Sequence, residues 1–122
     1  TLTFRELCDA AGDERALEKL AGRFGTSDAF AKWTRLWRDR LKEDGGDPIQ
    51  RQMAMASANP AFIPRNHRVE EAIAAAVMQE DYKPFERLVA VLSRPFDDQP
   101  DAAAFMEPPA PHEVVTQTFC GT

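Results

Sequence analysis

Residues 28–41 read Asp-Ala-Phe-Ala-Lys-Trp-Thr-Arg-Leu-Trp-Arg-Asp-Arg-Leu, and they decide the fold class. Phe30, Trp33, Trp37 and Leu41 recur three or four residues apart, so on a helix they share one side over three turns. Lys32, Arg35, Arg38 and Asp39 face elsewhere. A strand would need strict alternation, which is absent here. Ser27 or Thr26 offers a hydroxyl to the first free N–H groups, and Gly45-Gly46 closes the segment.

The same period extends outward in both directions. Phe4, Leu7, Cys8 and Ala11 form one stripe that Gly12 interrupts; Leu17, Leu20, Ala21 and Phe24 form another, closed by Gly25. Downstream, Asp47-Pro48 starts a helix: Asp47 accepts backbone N–H bonds, and Pro48 stands where no N–H is needed. Ile49, Met53 and Ala56 are its expected buried stripe, and Pro60 stops it by Asn59. Asn59 to Asn66 is a connector stiffened by two prolines, with Asn66 as the expected cap of the next helix, whose stripe is Val69, Ala72, Ile73, Ala76 and Val77. Asp81 is the expected cap of a last helix carrying Phe85, Leu88, Val89 and Leu92. Each stripe must bury itself on another. The prediction is an all-α bundle of about five to six helices over residues 1–94, followed by a Pro-rich, largely irregular tail over 95–122. Pro95 to Pro111 holds five prolines, which forbids a long helix, although 101–106 can form a short turn. The end of the tail, with Phe119-Cys120-Gly121-Thr122, either drapes over a surface or stays loose.

Composition narrows the function. With 122 residues the chain is the size of one domain, and 43% hydrophobic and 29% charged residues are ordinary for a globular protein. A net charge of -5, with basic residues dispersed among acids, excludes a general nucleic-acid binder. The longest apolar run, Ala72 to Met78, is far short of the roughly 20 residues of a membrane span. Thr1 to Ala11 has no basic start followed by an apolar stretch, so no export signal is read there. Two cysteines make no disulfide framework and point to a reducing compartment. The expected setting is a bacterial cytoplasm. The chain opens almost inside a helical pattern and without Met, as a piece trimmed from a longer protein would, and as a chain with a removed tag or a processed precursor also would.

Few residues could carry chemistry. His67 and His112 are isolated, and zinc sites need three or four ligands at recognisable spacings, so no metal site is expected and His67 reads as a surface residue. The acidic pairs Glu43-Asp44, Glu70-Glu71, Glu80-Asp81 and Asp97-Asp98 point in different directions on helices and read as solvating groups. Neither a phosphate-binding glycine loop nor a nucleophile elbow occurs, so no catalytic and no cofactor-binding residue is assigned. Trp33 and Trp37 read as core, with a partner-binding anchor as the alternative; Cys8 reads as a buried, inert thiol. Cys120, three residues from the end, should be exposed, and by itself reads as a bystander.

A resemblance adds to this. Asn59-Pro60-Ala61-Phe62-Ile63-Pro64-Arg65-Asn66, followed by Val69-Glu70-Glu71-Ala72-Ile73, resembles a segment near the end of the selenoprotein O family. Asp81-Tyr82, Phe85 and Leu88, then Arg94-Pro95-Phe96-Asp97-Asp98-Gln99-Pro100, are similar to that family's closing stretch. Residues 1–58 match only in being helical with an Asp-Pro start. The resemblance implies a parent enzyme with a protein-kinase-like fold that binds ATP inverted, with Mg²⁺, and transfers AMP to protein hydroxyls. Its nucleotide and metal residues would lie upstream, so this piece alone should catalyse nothing and hold no cofactor. Cys120 would match the redox-active terminal Cys or selenocysteine, a regulatory position that pairs with a thiol of the kinase-like lobe. Asn59, Pro60, Arg65 and Asn66 are read as structural, setting the connector. Implied partners are the missing kinase-like lobe and, for the parent, protein substrates. The isolated piece should expose an apolar patch and form a homodimer or a contact across the Trp33/Trp37 helix. The competing expectation is a self-contained helical module that binds a protein through an aromatic groove.

Overall fold

The computed structural model describes residues 2–25 and 27–117, and among these there are helices and turns but no strand. The chain groups into two compact units, residues 1–60 and 61–122, whose border falls inside the Asn59–Asn66 connector.

The first unit holds α1 (Leu2–Gly12), α2 (Ala16–Phe24), α3 (Asp28–Asp44) and α4 (Pro48–Ala58). Leu7 and Ala10 of α1 meet Leu17 and Leu20 of α2, and Ala16, Phe30, Trp37 and Met55 pack around them. The caps follow the sequence logic. Asp47 Oδ1 accepts the Ile49 N–H at 2.8 Å with Pro48 in the first turn, and Gly45 ends α3 at φ 64°, a conformation that costs a side-chain-bearing residue energy. Ser27 Oγ accepts the Phe30 N–H at 3.5 Å.

Two expectations fail here. The inward face of α4 is not Ile49 and Met53, which are both exposed, but Gln52, Met55, Ala56 and Asn59. The facing groups on α1 are polar, and they select that side: Asp9 Oδ1 accepts from Gln52 Nε2 at 3.2 Å, and Arg5 Nη1 donates to Ala56 O at 3.2 Å. Trp33 is not core. It is 41% exposed, and α3 buries no residue fully over its 17 positions. Only Phe30 and Trp37 of its stripe reach the centre, because α1 and α2 already close the small core between them.

The second unit holds α5 (Asn66–Gln79), α6 (Lys83–Leu92) and two short 3₁₀ turns, Pro100–Phe105 and Pro111–Glu113. Phe62 lies at its centre with Ala61, Val91 and Ala102, flanked by Leu92, Phe105 and Met106. The N–H groups of Ala61 and Phe62 both donate to Pro95 O, at 2.8 and 3.1 Å, and Gln99 Nε2 bridges Val91 O and Arg94 O at 3.0 and 2.8 Å. The Pro-rich stretch is thereby built into this unit, with Ala102 buried in the core.

Here too the stripes are rotated from expectation. Leu88 and Val91 are buried while Phe85 and Val89 are exposed; on α5, Ala72 is buried while Ile73 and Val77 are exposed, Val77 at 76%. Asn66 does not cap α5. It is the first helical residue, Arg65 stands at the N-cap position, and no side chain accepts there. Asp81 Oδ1 accepts the N–H of Lys83, the first residue of α6, at 3.1 Å, with Tyr82 at the cap position.

Candidate functional site

In the first unit, α2 ends and α3 begins so that four aromatic rings stack in series. Phe24–Phe30, Phe30–Trp33 and Trp33–Trp37 centroids lie 4.7, 5.9 and 5.7 Å apart, with rings 11°, 25° and 11° from parallel. Beside this ladder runs an apolar groove of about 440 Å³, walled by Phe4, Leu7, Leu20, Phe24, Phe30 and Trp33. Phe4, Phe24 and Trp33 are substantially exposed along it. Thr3, Ser27 and Ala29 complete a lining that is mostly apolar.

In the second unit, a cleft of about 290 Å³ opens at the start of α5, lined by Arg65, Asn66, His67, Pro109, Glu113 and Val115 among others. His67 was expected on the surface. It is 7% exposed, in a cleft whose lining also includes Val114 and Val115. Its Nε2 is buried without a hydrogen-bond partner. Glu113 Oε2 accepts the Ala110 N–H at 2.8 Å; that bond, then the nearby His67, Arg68 and His112, hold its carboxyl below the ordinary range. Burial lowers the pKa of the half-buried Arg65 guanidinium from its ordinary value.

The four motif residues fall in both units. Asn59 closes α4, its Nδ2 donating to Met55 O at 2.8 Å, and Pro60 follows it; Arg65 and Asn66 open α5. Cys120 lies outside the described residues. Cys8 is 1% exposed, its Sγ donates to Phe4 O at 3.0 Å, and burial pushes its thiol pKa up, which makes it a poor nucleophile. No group of three His, Cys, Asp or Glu side chains gathers to hold a metal among the described residues, and no helix there is long and apolar enough to cross a membrane. Sequence reasoning missed Glu6, a 5% exposed carboxylate on the inner face of α1, and the buried His67. No periodicity signals either one, since both depend on a distant segment.

These features define an all-α chain with exposed apolar faces. The family model for the protein adenylyltransferase SelO matches residues 4–93, and the chain belongs to that family. The match takes in most of residues 1–58, where the sequence resemblance was weakest. Over all 122 residues the chain is 55% identical to the protein nucleotidyltransferase YdiU of Rhizobium etli (strain CIAT 652), covering 24% of that protein. It is 52% identical to the YdiU protein of Bradyrhizobium sp. (strain ORS 278) and 49% identical to that of Rhodopseudomonas palustris (strain BisB5), covering 25% of each. The chain thus spans about a quarter of the length of these curated relatives. No solved structure matches it.

Proposed function

We propose that this chain is a non-catalytic helical part, C-terminal in position, of a longer cytoplasmic enzyme that transfers AMP from ATP to protein hydroxyl groups. The observation that carries the reading is full-length identity of 55% to a protein nucleotidyltransferase of which the chain covers only 24%. ATP and Mg²⁺ are assigned to the remainder, a kinase-like lobe, because this sequence has no phosphate-binding glycine loop and no ligand trio gathers among the described residues. The lobe is also the proposed partner of the apolar faces: the groove beside Trp33, and the exposed Ile73, Val77, Phe85 and Val89 on α5 and α6. Cys120 is proposed as a regulatory thiol: an external two-electron oxidant such as a peroxide joins it in a disulfide to a cysteine of that lobe, which restrains a mobile loop and tunes activity; buried Cys8 is a poor substitute partner.

The test is transfer of labelled AMP from α-labelled ATP, with Mg²⁺, to protein. The longer protein should transfer label and the 122-residue chain alone should not. Label transferred by the chain alone, or none by the longer protein, overturns the reading. Cys120→Ser in the longer protein should erase any difference in activity between oxidising and reducing buffer. The groove also favours a self-contained interaction module. Under that reading, deleting these residues from the longer protein would leave AMP transfer unchanged; under the reading preferred here, deletion abolishes it or removes its redox response.

A further inference from the structure

We propose that the cleft at the start of α5 binds one small oxyanion group, a phosphate or a carboxylate, held by the first N–H groups of α5 and by His67 Nε2.

Two independent observations converge there. The first is the uncapped helix start. Arg68 N and Val69 N donate to Arg65 O at 2.9 and 3.1 Å, while the N–H groups of Asn66 and His67 precede those bonds and no side chain caps them. An uncapped start of a 14-residue helix presents donors and the positive end of the helix dipole. The second is His67 itself. A side chain 7% exposed, lining the cleft, with Nε2 buried and without a partner, is a costly arrangement unless a ligand supplies the missing partner, which is an acceptor when Nε2 carries the proton.

The helix start selects the ligand's sign, because its uncapped N–H groups and the helix dipole favour negative charge, while Arg68 in the first turn is engaged with Nη1 on Glu71 Oε2 at 2.8 Å. One negative group shares the wall, the Glu113 carboxylate, but it is engaged by the Ala110 N–H. Glu113 therefore opposes an anion without replacing it, and this gives the proposal its sharpest test. Glu113→Gln keeps an oxygen for the Ala110 N–H and removes the opposing charge.

The experiment is a titration of the 122-residue chain with sodium phosphate and, separately, sodium acetate, followed by amide and imidazole ¹⁵N shifts. Sodium chloride at matched ionic strength is the control, and circular dichroism confirms that each variant is folded. Saturable shifts confined to Asn66–Val69 and the His67 ring are expected with phosphate or acetate and not with chloride; the anion that saturates at the lower concentration identifies the source. His67→Phe should weaken binding about tenfold or more, the loss of one charge-assisted hydrogen bond. Glu113→Gln should tighten it several-fold. Shifts no larger than those from chloride, unchanged affinity in folded His67→Phe, or weaker binding in folded Glu113→Gln would each overturn the proposal. The site stands independently of the AMP-transfer reading.

Discussion

Glu6 and Arg23 form a two-pronged ion pair between α1 and α2, with Arg23 Nε and Nη2 donating to Glu6 Oε2 and Oε1 at 2.6 and 2.8 Å. Lys19 Nζ lies 3.8 Å from the same carboxylate. Hydrogen bonding from Arg23 keeps the Glu6 pKa below its usual value of 4.5, against the opposing effect of burial. A folded-state pKa depressed in this way gives stability that is present above the unfolded value and lost as pH falls through the folded one. Glu6→Gln should therefore cost about 1–2 kcal/mol at pH 7, a range reduced because Arg23 is partly in solvent. The variant should also lose less stability than the parent between pH 7 and pH 3. Urea midpoints at the two pH values check both; equal losses would show that the pair carries no acid sensitivity.

Asp47→Ala should cost about 1 kcal/mol, the usual price of an N-cap. Asp47 Oδ1 takes the Ile49 N–H, and Pro48 beside it already lacks one, so water alone would have to satisfy the start of α4. Asp47→Asn, which keeps the acceptor, should recover most of the loss in the same denaturation series.

How much of this was readable in advance divides along a physical line. Local signals served well: the 3.6-residue period, Asp47-Pro48, Gly25, Gly45 and the proline stop at Asn59 each act within a turn of the chain. What failed was rotation of the stripes. Ile49, Met53, Ile73, Val77, Phe85 and Val89 are spaced as core residues and stand exposed. Periodicity reports that a helix has an apolar side; it does not report which surface covers that side. Gln52 faces inward because Asp9 and Gly12 of α1 lie opposite it, a fact no local window contains. Glu6 and His67 escaped notice for the same reason: Arg23 is 17 residues from Glu6, and the cleft that His67 lines is completed by Pro109, Glu113 and Val115, far along the chain. The motif Asn59, Pro60, Arg65, Asn66 was legible as a connector, yet Asn66 lost its capping role to a helix that begins one residue earlier.

Phe62→Ala should be among the most damaging substitutions in the second unit, at about 3–5 kcal/mol. The ring is 2% exposed, and its own backbone is tied to Pro95 O, so the site has little freedom to collapse around the void. Phe85→Ala, on an exposed ring of the same unit, should cost less than about 1 kcal/mol. Amide exchange in α5 and α6 should accelerate strongly for the first and scarcely for the second.

Cys8 should be silent toward thiol reagents while the protein is folded. In a Cys120→Ser background, modification by a disulfide reagent should proceed only at the rate of opening of α1, since the sulfur is buried and its proton is held more tightly than in solution. Adding urea through the transition should raise the rate in step with the unfolded fraction; fast reaction in native buffer would refute the buried assignment.

Trp33 and Trp37 stack on each other, but they should respond differently to truncation. Trp37 packs on the Leu7–Leu20 core, so Trp37→Ala should cost about 2–4 kcal/mol in the 122-residue chain. Trp33, 41% exposed above the groove, should cost only about 1 kcal/mol there, mostly the loss of its ring contacts with Phe30 and Trp37. If the kinase-like lobe covers the groove in the longer protein, that difference must shrink: Trp33→Ala would then remove a fully desolvated anchor, and its cost should rise to match or exceed that of Trp37→Ala. Measuring both variants in both lengths by denaturant unfolding isolates the effect, because the intrinsic cost within this chain cancels in the comparison. A Trp33→Ala cost that is the same in the two lengths would leave the groove open in the longer protein and remove the lobe as its occupant.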